Sequence, residues 1–114
     1  MKQREKVIEK YLKEQVEKNN GIIRKWVSPN HRGVPDRICI FATGLIAFVE
    51  CKAKEGKLSK LQEIELANLM AYNCPVAIVS SKKDVDAFIT WALRLVEKRR
   101  ANLTTKKGDG GKLG

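Results

Sequence analysis

The sequence predicts an α/β domain: a mixed four-stranded sheet flanked by helices, in the order α-β-β-β-α-β-α. Three observations predict it. Two nearly continuous apolar runs, "DRICIFA" at 36–42 and "LIAFVECK" at 45–52, read as central strands covered on both faces and joined by a tight turn. Amphipathic helical stripes lie towards both ends of the chain. Between the second apolar run and the last stripe, a capped helix leads into one more short apolar run, "PVAIVS" at 75–80.

Residues 3–19 carry Val7, Ile8, Tyr11, Leu12 and Val16 amid Lys and Glu, the pattern of a surface helix packing one face inward, and Asn19, Asn20 and Gly21 end it. "IIRKWV" at 22–27 is a β-branched and aromatic strand, followed by the Pro-, Asn- and Gly-containing loop "SPNHRGVP" at 28–35. After the two central strands, Lys54, Glu55, Gly56 and Lys57 break the pattern. Ser59 with Gln62 three residues later forms a capping box opening a helix to about Tyr72. The last helix carries Val85, Phe88, Ile89, Ala92, Leu93 and Val96 on its apolar stripe.

A chain of 114 residues fits one domain, placed at residues 1–100, with the Gly- and Lys-rich segment 101–114 expected to be a disordered tail. The net charge of +10 points to a polyanionic partner. The tail holds three lysines against one aspartate, so +8 of that charge stays with the domain. No run of about 18 apolar residues occurs and the first residues are charged, so neither a membrane span nor a secretory signal is expected, and the protein is expected in the cytoplasm. Cys39, Cys51 and Cys74 are odd in number and make no CxxC spacing, which argues for reduced core thiols over disulfides or zinc.

Asp36, Glu50 and Lys52 stand at the ends of the central strands, where uncompensated charge is costly. A two-residue loop at Thr43-Gly44 would set Arg37 opposite Glu50 and turn Asp36 to the other face. A three-residue loop, with Ala42 and Thr43 right-handed and Gly44 left-handed, pairs Phe41 with Leu45 and sets Asp36 opposite Glu50. Opposed side chains on paired strands have Cβ atoms about 5 Å apart, and Glu50 and Lys52 share a face, so the three groups can meet. Two carboxylates that close resist ionising unless a cation lies between them, and a hard divalent ion such as Mg²⁺ resolves the conflict. A simple ion pair to Lys52 is the competing arrangement. Combined with the basic body, two acids, a metal and a lysine are what phosphodiester hydrolysis needs.

Pro35-Asp36 followed by Glu50-Cys51-Lys52 resembles the PD-(D/E)XK nuclease signature. The longer stretch, "RGVPDRICI" through "GLIAFVECKAKEGKLSKLQ", resembles the virus-type replication-repair nuclease (VRR-NUC) branch of that superfamily, which includes stand-alone phage proteins. The resemblance implies a restriction-endonuclease-like fold and a metal-dependent DNA endonuclease whose cleavage leaves a 5′-phosphate. It implies that Asp36, Glu50 and the backbone carbonyl of Cys51 ligate the metal and that Lys52 orients or polarises the attacking water. Gln62 matches a family glutamine near the site, although its capping-box role explains it equally well. Mg²⁺ is the implied cofactor, with Mn²⁺ able to substitute and no small-molecule cofactor. A first-helix glutamate is also implied to touch the metal or its water, and Glu5 and Glu9, one turn apart, compete for that place. If the first strand returns about 20 Å antiparallel to the second, the helix covers that distance in about 13 residues from Lys18, which favours Glu5 slightly and leaves both open.

Arg24, Lys25, Arg32 and Arg37 bracket the acids and are the candidates for phosphate contacts. His31, the only histidine, is read as a phosphate or solvent contact, and Trp26 as a core residue that could also stack on a base. The resemblance further implies a homodimer acting on branched DNA, as a four-way (Holliday) junction resolvase. The apolar stripe of the last helix, with Trp91 and Leu95 added, is wider than one face against a sheet needs, and the excess is offered as the interface. The rival readings are a flap or general nuclease subunit of a larger repair or packaging machine, and a non-catalytic nucleic-acid binder.

Overall fold

Ile8, Leu12 and Val16 recur every four residues on the first helix, and in the computed structural model, which describes residues 2–105, all three are buried. That helix, α1, spans Lys2–Lys18. Val7, placed on the same stripe by the sequence, is 50 % exposed, because the buried line follows the four-residue step and leaves its neighbour outside. Next come β1 (Ile22–Lys25), β2 (Arg37–Phe41), a short turn at Ala42–Gly44, β3 (Leu45–Cys51), α2 (Lys60–Ala71), β4 (Val76–Val79) and α3 (Lys82–Thr105). The element order is the predicted one.

The strands lie in the order β1-β2-β3-β4. The first two pairings are antiparallel, and β3 and β4 are parallel, which requires the crossover that α2 supplies. Phe41 pairs with Leu45 and Arg37 with Val49, the register of the three-residue loop. The loop's backbone differs from the expectation. Thr43 has φ 64° and Gly44 φ 74°, both left-handed, and the Leu45 N–H donates to the Ala42 carbonyl. Thr43 tolerates this strained conformation with its hydroxyl donating to the Ala42 carbonyl.

α1 and α3 cover one face of the sheet. Cys39 and Phe41 of β2, Leu45, Ala47 and Val49 of β3 and Val79 of β4 are buried together with Val85, Phe88, Ile89, Ala92 and Val96 of α3. The other face is only partly covered, contrary to the expectation from the two apolar runs. Ile22, Ile40 and Ile46 form a cross-strand row there, and Ile22 and Ile46 are 47 % and 42 % exposed. A strand covered fully on one face and only partly, by α2, on the other can therefore read as continuously apolar.

α3 runs to Thr105, so the tail predicted from Ala101 begins at least five residues too early. The physical reason is that no Gly or Pro occurs between Lys82 and Thr105 to stop the helix. Residues 106–114, the remainder of the expected tail, lie outside the described residues. No helix among the described residues is long and apolar enough to cross a membrane.

Candidate active site

Asp36 owes its position to the residues on either side. Pro35 is fully buried, and the Trp26 N–H donates to the Asp36 carbonyl at 3.0 Å, extending the β1–β2 pairing by one step. The Arg37–Val49 register then sets Asp36 opposite Glu50, and the Cys51 N–H donates to Asp36 Oδ1 at 3.3 Å. The loop that delivers Asp36 is clamped to α2. A Cβ on Gly33, whose φ is +92°, would lie 2.4 Å from the Leu61 carbonyl oxygen, so only glycine fits.

α1 brings both competing glutamates to this point. One carboxylate oxygen each from Glu5, Glu9 and Asp36 all lie within 4.8 Å of one another. Alternatives in the sequence, the two glutamates stand together in the fold because residues four apart share a helix face. Glu9 Oε2 also pairs with Arg37 Nη2 at 3.4 Å.

Glu50 sits beside this trio and is held differently. It is 4 % exposed, its Oε2 accepts from Gln62 Nε2 at 2.9 Å, and Lys52 Nζ lies 3.7 Å away. Gln62 has both of its sequence-level explanations at once. Its Oε1 accepts from the Ser59 N–H at 2.8 Å while its N–H donates to Ser59 Oγ at 3.1 Å, closing the capping box, and its amide nitrogen serves Glu50.

The electrostatics are those of acids crowded out of water. Burial pushes the Asp36 carboxyl up to about 6, with Glu9 and Glu5 adding to the effect against Arg37 and the Cys51 N–H. Burial pushes Glu50 up to about 7, reinforced by Asp36 and Glu5 and opposed by Lys52. Three carboxylate oxygens within 4.8 Å compare with about 4.2 Å across an octahedral Mg²⁺ shell, taken as twice the usual bond length of about 2.1 Å. A hard divalent cation fits this donor set, and its charge would offset the burial that raises Asp36 and the repulsion from Glu9 and Glu5 that adds to it.

Other candidates fall elsewhere. His31 is paired with Glu65 of α2 at 2.8 Å, a contact invisible in the sequence because the partners are 34 residues apart, so it ties the 28–35 loop to α2. Its side chain stays 58 % exposed, in keeping with a solvent contact. Arg37 is engaged by Glu9 and by the Asp36 carbonyl, whereas Arg24, Lys25 and Arg32 are exposed. The Trp26 ring lies 5.0 Å from that of Phe48, a packing contact. Cys39 and Cys51 are buried free thiols; burial pushes Cys39 up to about 12 and Cys51 higher still, so neither supplies a nucleophile.

The profile of the VRR-NUC domain matches residues 3–83, a span containing the whole acidic cluster together with Lys52 and Gln62. The chain belongs to the VRR-NUC domain family. A phage protein named "Putative nuclease p44", from Acyrthosiphon pisum secondary endosymbiont phage 1, is 46 % identical over 79 residues, covering 69 % of this chain and 85 % of the relative. A solved structure titled "VRR_NUC domain" superposes with a TM-score of 0.72 at 33 % identity, covering 76 % of this chain and 95 % of the other. The VRR-NUC domain described here is thus a nuclease-family fold, and the mixed sheet and its flanking helices are those of its solved relative.

Proposed function

We propose that this VRR-NUC domain is a divalent-metal-dependent DNA endonuclease that hydrolyses phosphodiester bonds in branched DNA. The observation that carries the proposal is the meeting of Glu5, Glu9 and Asp36 beside Glu50 and Lys52 in a chain of net charge +10. Asp36, Glu5 and Glu9 would hold the metal, with Glu50 and the Cys51 carbonyl at its edge. A bound Mg²⁺ or Mn²⁺ supplies positive charge at the scissile phosphate and acidifies water in its shell. Lys52, held beside Glu50, orients the attacking water and stabilises charge developing on the phosphate oxygens. Gln62 keeps Glu50 from turning away. In-line attack breaks the P–O3′ bond and leaves a 5′-phosphate.

The junction and the homodimer rest on a geometric requirement: paired nicks need two sites related by a twofold axis. Most of the α3 stripe is buried in the domain's own core, so the excess available to a partner is its exposed remainder. Trp91 stays 38 % exposed and, with Leu95, Met70, Pro75 and Val76, lines a shallow recess of about 430 Å³ beside the free edge of β4. This recess is the surface proposed for the second copy. The free buried thiols suit a reducing compartment and support placement in the cytoplasm.

The test is a panel of labelled four-way junction, flap and linear duplex DNAs incubated with Mg²⁺, Mn²⁺ or EDTA, alongside Asp36→Asn. Metal-dependent cutting that favours the junction and vanishes in the variant is expected. Equal cutting of every substrate would overturn the junction assignment, and no cutting at all would overturn the enzyme. Light scattering that returns only the 12.9 kDa monomer while junctions are still cut would overturn the dimer.

A further inference from the structure

A concave groove of about 420 Å³ lies between α1 and the edge strand β1, and Glu9 of the acidic trio is part of its lining. Lys6, Lys10 and Lys13 reach it from α1, and Arg24 and Lys25 from β1, with Ile23 on its floor. At the end nearest the acids stands the Glu9–Arg37 pair, whose glutamate belongs to the Glu5–Glu9–Asp36 trio. Six basic side chains therefore line the groove against a single acid, and that acid is already matched by Arg37. Among the described residues, Lys6, Lys10, Lys13 and Lys25 form no salt bridge.

Solvated lysines on a helix fan outward and avoid one another. Here residues 6, 10 and 13 keep to one helix face and converge with two cations from a different element on one concavity, an arrangement that repels itself until an anion enters. From Lys6 to Lys13 the helix advances about 10 Å, at 1.5 Å per residue. At about 3.4 Å per nucleotide along a stacked strand, that length matches roughly three phosphates.

We propose that this groove is the track for the phosphate backbone of one DNA strand on one side of the cut, leading it to the acids. The inference rests on the nuclease reading, but it concerns binding and is tested by binding. Lys10 and Lys13 line the groove on the C-terminal side of Glu9 along α1, and in the sequence nothing separates them from the other surface lysines of that helix.

The test compares the full chain with Lys10→Ala/Lys13→Ala and with Lys83→Ala/Lys98→Ala, a pair on α3 outside the groove that removes the same charge. Affinity for a labelled junction and a labelled single strand is measured in Ca²⁺ across a KCl series, after confirming equal melting transitions. The groove variant is expected to bind roughly tenfold more weakly, with its log–log salt slope reduced by about 2, one for each lost phosphate contact. The α3 variant is expected to stay within about twofold of the parent. Equal losses in both variants, an unchanged slope in the groove variant, or no DNA binding by the parent would each overturn the track. A parent that binds through the groove but cuts nothing in the substrate panel would uphold the track and overturn the nuclease reading, so the two failures are distinct.

Discussion

The covered face of the sheet and its charged end share β2 and β3 but are built on opposite terms. On the covered face Leu12, Val16, Cys39, Ala47, Val49, Val85 and Ala92 are completely buried and bring no polar side-chain atom that needs a partner. At the charged end Glu50 is almost as deeply placed, and burial works against its charge. The difference teaches which region stabilises and which is carried. The α1–α3 layer supplies the burial free energy that lets α1 hold two glutamates against Asp36. In their charged forms the acids oppose folding, because burial and mutual repulsion both act against the charge.

The largest effect expected is on chemistry with little effect on folding. Asp36→Asn should lower metal-dependent cleavage by at least about 10³-fold, the scale of losing one preorganised charge at a reacting centre, while the melting temperature stays level or rises. A variant that melts much earlier would break the comparison, because Asp36 would then be holding the fold together. Leu12→Ala, on the covered face, should do the reverse. Removing this completely buried side chain should cost about 2–5 kcal/mol, lowering the melting temperature by roughly 10 °C or more and reducing activity only through unfolding.

A smaller effect sharpens the comparison through pH. Glu50 titrates at about 7 in the fold against 4.5 ordinarily, so the folded protein holds this proton more tightly than the unfolded chain does. Its contribution to stability is complete below about pH 4.5 and is lost as the pH rises through about 7. Metal-free Glu50→Gln should therefore melt higher than the parent at pH 8, by about 1–2 kcal/mol, and no higher at pH 5. A variant less stable at pH 8 would show that the ion pair with Lys52 outweighs desolvation. The smallest effect is that of the metal itself. Mg²⁺ at about ten times its dissociation constant should add about 1.4 kcal/mol at pH 8, clearly less at pH 5 where protons compete for Asp36, and nothing to Asp36→Asn. Thermal melts with and without metal at the two pH values read both.

Much of this contrast was legible in the sequence, because period-two and period-3.6 apolar patterns report burial directly. The Asp36–Glu50 opposition followed from the spacing between Phe41 and Leu45, even though Thr43 proved left-handed where a right-handed residue was expected. The choice between Glu5 and Glu9 was open because a distance argument along a helix is uncertain by a turn, and the helix brings both carboxylates close to Asp36. The His31–Glu65 pair and the α2 clamp on Gly33 could not be read, since each joins segments whose approach depends on the tertiary fold. The partly open second face was hidden for a different reason: Ile22, Ile40 and Ile46 look in sequence just like core residues. Helix continuation through Ala101–Thr105 was masked by averaging those residues with the glycines that follow.

The packing of α1 on α3 sets a timetable for a chain emerging from the ribosome. Tyr11 donates to Asp86 Oδ1 at 2.7 Å, and Leu12 and Val16 share one core with Val85, Phe88 and Val96, so the earliest helix made has its main cover among the last residues made. Glu5 and Glu9 ride on that helix. Until residues near 96 have been released, α1 has no firm seat against the sheet and its glutamates have no fixed distance to Asp36. The Glu5–Glu9–Asp36 cluster therefore assembles only when translation of the domain is nearly complete.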